Sequence, residues 1–124
     1  MNNPTDKLMK FYQKNGILEL SKVTGLTISK LNEILELDFK TFEDIDFTPH
    51  HGGVAGKIMF DNGYGASVIR HQHSYGGKNG LYELAVLDND GKLTYDTPVT
   101  NDVIGYLSPK EVTDYLIQIQ DLKN

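Results

Sequence analysis

Residues 60–87 read FDNGYGASVIRHQHSYGGKNGLYELAVL, a run in which two glycine-rich turns separate segments that are apolar at alternate positions. Period-two alternation sends successive side chains to opposite faces of a strand, so this run commits the second half of the chain to an antiparallel sheet. Residues 54–60 and 66–73 are expected to pair, because Asp61-Asn62-Gly63 supplies the positive-φ turn that a short hairpin needs. After the longer loop Ser74-Tyr75-Gly76-Gly77-Lys78-Asn79-Gly80, residues 81–87 form a third strand. Residues 92–95 form a fourth beyond the turn Asp88-Asn89-Asp90-Gly91, and residues 102–106 add a short extended piece. Ser108-Pro109-Lys110-Glu111 then combines an N-cap, proline at the first helical position and a capping-box glutamate. The helix it starts presents Val112, Leu116, Ile119 and Leu122, flanked by Tyr115, to one side of the sheet.

Residues 1–48 follow a helical period instead. Thr5 or Asp6 caps a first helix carrying Leu8, Met9, Phe11 and Tyr12, and Asn15-Gly16 stops it. Ile17, Leu18, Leu20 and Val23 belong to a second helix ended by Gly25. Thr27 or Ser29 caps a third, with Leu31, Ile34, Leu35 and Leu37 inward and Lys30, Asn32, Glu33 and Glu36 outward. The expected architecture is therefore α+β: an N-terminal three-helix segment, then an antiparallel four-stranded meander packed by a C-terminal helix. Two parts are expected, residues 1–48 and residues 49–124, joined at a short hinge of Thr48-Pro49-His50-His51-Gly52-Gly53.

The chain has 124 residues, enough for one compact domain or a small appendage on a modest core. No apolar run approaches the roughly 20 residues of a membrane span, and the opening residues lack the apolar stretch of a signal peptide, so a cytoplasmic protein is expected. Zero cysteines leave neither a disulfide framework nor a thiolate metal site. A net charge of −5 works against wholesale adhesion to nucleic acid.

The glycine loops carry the strongest binding signal. Tyr64, Arg70, His71 and Tyr75 combine aromatic area, a planar cation and an imidazole beside backbone that a partner can approach closely, which is the composition of a protein-binding edge. Residues 17–37, ILELSKVTGLTISKLNEILEL, resemble a helix-turn-helix with Gly25 at the turn and Leu20, Leu26, Leu31 and Ile34 at core positions. In that reading Thr27, Ser29, Lys30, Asn32 and Glu33 face a DNA major groove; in the alternative the helices pack on the sheet or mediate a homodimer. A third reading takes His71 and His73 as i, i+2 neighbours on one strand face that offer two imidazoles to a metal, with His50 or His51 adding a third only if the hinge turns back. No dinucleotide fingerprint, Walker loop, calcium loop or nucleophile elbow is complete, so neither a cofactor nor catalysis is expected.

The segments NGYGASVIRH, SYGG, GLYELAVL and YDTPVTNDVIGYL resemble a family of small, mostly uncharacterised proteins of bacteriophages and prophages. The resemblance spans residues 53–122 and implies no reaction and no catalytic residues. It implies a setting, the host bacterial cytoplasm, and a role as an accessory factor that binds a host protein or nucleoprotein complex. Anti-CRISPR proteins are similar in size and charge, and several join a helix-turn-helix part to an inhibitory part, which extends the expectation to inhibition of a defence nuclease.

Overall fold

The computed structural model describes residues 4–123. They fall into two compact units, Met1–Phe39 and Lys40–Asn124.

In the first unit, α1 (Pro4–Asn15), α2 (Ile17–Thr24) and α3 (Ile28–Leu35) follow one another through short connections. Pro4 stands at the first position of α1, where a missing N–H removes no helical bond. Thr5 and Asp6 therefore lie inside the helix rather than at its cap, and the cap position falls outside the described residues. α2 buries Ile17 and Leu20 and stops at Gly25, whose left-handed backbone lets its N–H reach the Ser21 carbonyl at 2.9 Å. Thr27 caps α3 by accepting the Lys30 N–H at 3.0 Å, and Ile28, Leu31 and Leu35 form the buried stripe. Glu36 ends α3 at φ 51°, a left-handed position that glycine or asparagine more often occupies.

The second unit is a five-stranded antiparallel sheet in the order β1-β2-β3-β4-β5, followed by α4. Its elements are β1 (Thr48–His50), β2 (Gly53–Met59), β3 (Gly65–Arg70), β4 (Tyr82–Leu87), β5 (Ile104–Leu107) and α4 (Pro109–Gln120). Five strands replace the four expected: one is gained at the hinge, residues 92–95 are lost as a strand, and the short extended piece expected at residues 102–106 is the strand β5. The stretch read as a hinge is itself a strand and a turn: β1 pairs with β2 through Thr48↔Ala55, Pro49↔Val54 and His50↔Gly53. A strand containing proline is tolerated there because β1 is an edge. Residues 92–95, in contrast, do not make a full strand. Leu93 forms a single bridge with Leu87, and the Thr94 N–H reaches the Val86 carbonyl at 3.0 Å. The rest of that side of β4 is taken by β5, through Tyr82↔Leu107 and Leu84↔Ile104.

The pairs Val68↔Leu84 and Ala66↔Val86 define the core face of the sheet. α4 lays Val112, Leu116 and Ile119 on it, with Tyr115 and Leu122 packed at the margin. Its start matches the sequence pattern: Ser108 Oγ accepts the Glu111 N–H at 3.2 Å and the Glu111 carboxylate accepts the Ser108 N–H at 3.1 Å. Phe42, Ile45 and Phe47 belong to this same core. Lys40 is tied to the end of α4, where Gln120 accepts its N–H and donates to its carbonyl, both at 2.8 Å. The sheet unit thus begins at Lys40, ahead of the boundary after residue 48 that the helical period suggested. Among the described residues no helix is long and apolar enough to cross a membrane.

Candidate functional site at the histidine end of the sheet

The β1–β2 hairpin turns through His51 and Gly52, both at positive φ (47° and 78°). A two-residue turn with this handedness matches the twist of the strands it joins, and asparagine usually takes the place that His51 holds. The turn carries His50 and His51 back toward the end of β3. Gly53 permits the approach: a Cβ there would overlap the Arg70 carbonyl oxygen and lie 2.8 Å from the Cα of His71. The hairpin therefore turns residues 50 and 51 back toward His71, as a third imidazole beside His71 and His73 requires.

All four histidines of the chain consequently gather at one end of the sheet. Ring centroids lie 4.2 Å apart for His50 and His51, 5.6 Å for His50 and His71, 5.9 Å for His51 and His71, and 6.2 Å for His71 and His73. His71 and His73 are not strand neighbours on one face, because β3 stops at Arg70. Ser74 Oγ accepts the His71 N–H and donates to the His71 carbonyl, both at 2.9 Å, which turns the chain out of the sheet. The His73 N–H then donates to His71 Nδ1 at 3.1 Å. Gly77 closes this loop from the other side, since a Cβ there would fall on the His71 carbonyl oxygen. His71 is therefore held by fixed backbone, whereas the rings of His50, His51 and His73 stand on exposed residues. The pKa of His50 is lowered from its ordinary value, first by reduced solvation among the rings and then by repulsion from His51 and His71. As the side chains stand, no group of three or more histidine, cysteine, aspartate or glutamate residues among those described is arranged to hold a metal ion.

The four residues expected to form a partner-binding edge are not brought together. Tyr64 precedes β3 while Arg70 ends it, so the two lie at opposite ends of the strand. Tyr64 is partly buried against the core and lines a cleft of about 220 Å³ with Asp88, Asp96 and Thr97. Arg70 shares the core face with Val68 and points back over Tyr82, its guanidinium carbon 5.1 Å from the ring centroid and Nη1 donating to the hydroxyl at 3.3 Å. That ring is buried against Phe42 and Phe47. Arg70 thus closes an aromatic cluster instead of reaching outward. Tyr75 does stand free, 60% exposed, and the structure adds a neighbour the sequence did not single out. The Tyr106 N–H donates to the Tyr75 carbonyl at 3.1 Å, and Tyr106 is 59% exposed at φ 60°, a left-handed position rare for an aromatic residue. A register shift between β4 and β5 near Tyr82 and Leu84 accompanies it. Two tyrosines separated by some thirty residues are not a pattern that sequence spacing can reveal.

In the first unit, α2 and α3 are joined by the three residues Gly25-Leu26-Thr27. Ser21 Oγ donates to the Leu26 carbonyl at 2.7 Å and Thr24 Oγ1 accepts the Leu26 N–H at 3.2 Å, so the two polar residues that depart from the helix-turn-helix pattern fasten the turn. Of the residues expected to face DNA, Thr27 is occupied as a cap and Lys30 lies 3.7 Å from Glu33. Ser29 and Asn32 are partly buried.

No protein-family model matches the chain, and comparison with curated proteins and with solved structures yields no match.

Proposed function

We propose that this protein is a non-catalytic binding protein that engages its partner through the histidine end of the sheet, with Tyr75 and Tyr106 as anchors and His71 beside them. The observation that carries the reading is the pair of exposed tyrosines joined by a backbone hydrogen bond. Each presents a large ring that loses little rotamer entropy on contact, the quality that makes tyrosine frequent among interface residues that dominate affinity. Tyr64 and Arg70 drop out of the contact set, because the first packs at the other end of β3 and the second is engaged by Tyr82. The resemblance of residues 53–122 to phage proteins supplies the partner class, a host protein or nucleoprotein complex, with a defence nuclease as the extended form of the proposal. Affinity capture from a bacterial host lysate tests it. A partner retained by the native chain and by Tyr64→Ala, and lost with Tyr75→Ala or Tyr106→Ala, is the expected result. Retention by both of the latter variants would move the binding surface elsewhere.

A second reading, a DNA-binding regulator acting through residues 17–37, draws on the three-residue turn between α2 and α3. Phosphate anchoring is its weak point, since Lys30 is shared with Glu33. A retarded promoter fragment whose affinity falls steeply with salt, and which Lys30→Ala releases, would favour it over the first.

A further inference from the structure

We infer that His50, His51 and His71 form a binding site for a transition-metal ion of the zinc type, closed by rotation of the two exposed rings. The argument is one of spacing. An imidazole nitrogen binds zinc at about 2 Å, which puts each ring centre about 3 Å from the metal and two rings at a tetrahedral angle about 5 Å apart. The three centroid separations here are 4.2, 5.6 and 5.9 Å. Interplanar angles of 78°, 52° and 67° show that the rings are not stacked on one another. As the side chains stand, no three of the described residues are arranged to hold a metal ion, so the rings must turn to form the site. His50 and His51 are exposed, so turning their rings opens no part of the buried core.

One further feature favours the site. The backbone of His71 is fixed by Ser74 and Gly77, which gives the cluster one ligand that does not wander. Binding through His71 displaces the His73 N–H from Nδ1, or requires Nδ1 to carry the proton and give that bond up, so the site is weaker than a preformed one. Three nitrogen ligands leave a fourth position for water or for a donor from a partner.

The test is calorimetric titration of the untagged full-length protein with zinc chloride at neutral pH. One zinc per chain with a micromolar dissociation constant is expected. His50→Gln and His51→Gln should each weaken it at least about tenfold, as loss of one of three ligands requires, with unchanged far-ultraviolet circular dichroism. His73→Gln serves as the control and should leave the affinity within about twofold. Absence of saturable binding, retained affinity in either ligand variant, or an equal loss in His73→Gln would overturn the site. The titration involves no protein partner, so its outcome is separate from that of the tyrosine contact surface.

Discussion

Gly53 lies against His71, close enough that a Cβ on residue 53 would stand 2.8 Å from both the Cα and the Cβ of the histidine. The neighbour is largely backbone that β3 and the following loop hold in place, so an added methyl cannot be absorbed by a side-chain rotation. Gly53→Ala should therefore cost about 1–3 kcal/mol, the range seen when extra volume is forced into tight packing. Denaturant unfolding checks the stability. Loss of the cross-peaks between the His50 and His71 rings in a nuclear Overhauser spectrum checks the geometry, and an alanine variant with native stability and intact cross-peaks would refute the account of how the histidines assemble.

Arg70 and Tyr75 should part company on mutation. Arg70 covers Tyr82 and donates to its hydroxyl, so Arg70→Ala loses a partly buried cation–π contact and the packing of its stem, about 1–2 kcal/mol of stability. Tyr75 is exposed, and Tyr75→Ala should leave stability within about 0.5 kcal/mol while costing about 2 kcal/mol of partner affinity, roughly thirtyfold. Chemical denaturation of the two variants side by side distinguishes them. Equal stabilities would mean that Arg70 is not part of the core.

Asn62 joins the β2–β3 turn to the end of α4. Its Nδ2 donates to the carbonyls of Ile119, Gln120 and Leu122 at 2.8, 3.1 and 3.0 Å, and its Oδ1 accepts the Tyr64 N–H at 3.1 Å. A helix C-terminus exposes carbonyls that lack internal partners, and this amide supplies donors for them. Asn62→Ala should cost about 1–3 kcal/mol, the penalty for stranding partly buried polar groups. Asn62→Asp should cost more than alanine, because it turns a carboxylate toward carbonyl oxygens at the negative end of the helix dipole. Thermal unfolding of the two variants gives the order; an aspartate variant more stable than the alanine one would contradict it.

The titration of His50 follows from its neighbours. Its pKa is lowered from the ordinary histidine value, so the folded state binds its proton less readily than the unfolded chain does. The stability linked to this group is present above the unfolded value of about 6.5 and declines as pH falls through it toward the folded value. Following the His50 ring proton resonance against pH should give a midpoint below that of an unhindered histidine. His51→Gln should move the midpoint back upward. An unshifted midpoint in the native chain would show that the rings do not sense one another.

Much of the sheet was legible residue by residue. Alternation in β2, β3 and β4, the Asp61-Asn62-Gly63 turn and the Ser108-to-Glu111 cap are local signals, set by backbone geometry and by hydrogen bonds within a few positions, and each appears within a residue of where its pattern put it, except that β3 ends at Arg70 and not at His73. β1 was not legible, because Pro49 and two following glycines read as punctuation when they are an edge strand and a tight turn. The fourth strand was overread for the converse reason. Residues 92–95 alternate well enough, but pairing needs an open edge, and β4 shares that edge between Leu93 and β5.

What this chain's sequence determined by itself is the α+β class and the C-terminal helix with its apolar face. Tertiary structure alone decided which polar and aromatic side chains meet. His50 and His51 reach His71 through a hairpin that Gly53 allows to close, Tyr106 joins Tyr75 across the β5 edge, and Arg70 is turned inward because the register places it on the face of Tyr82. The segment of Phe42, Ile45 and Phe47 likewise joined the sheet and not the helices before it. The physical reason is the same in each case: periodicity reports the face of a single element, whereas a site is made by contacts between elements, and those are fixed only when register, turn and packing are satisfied together.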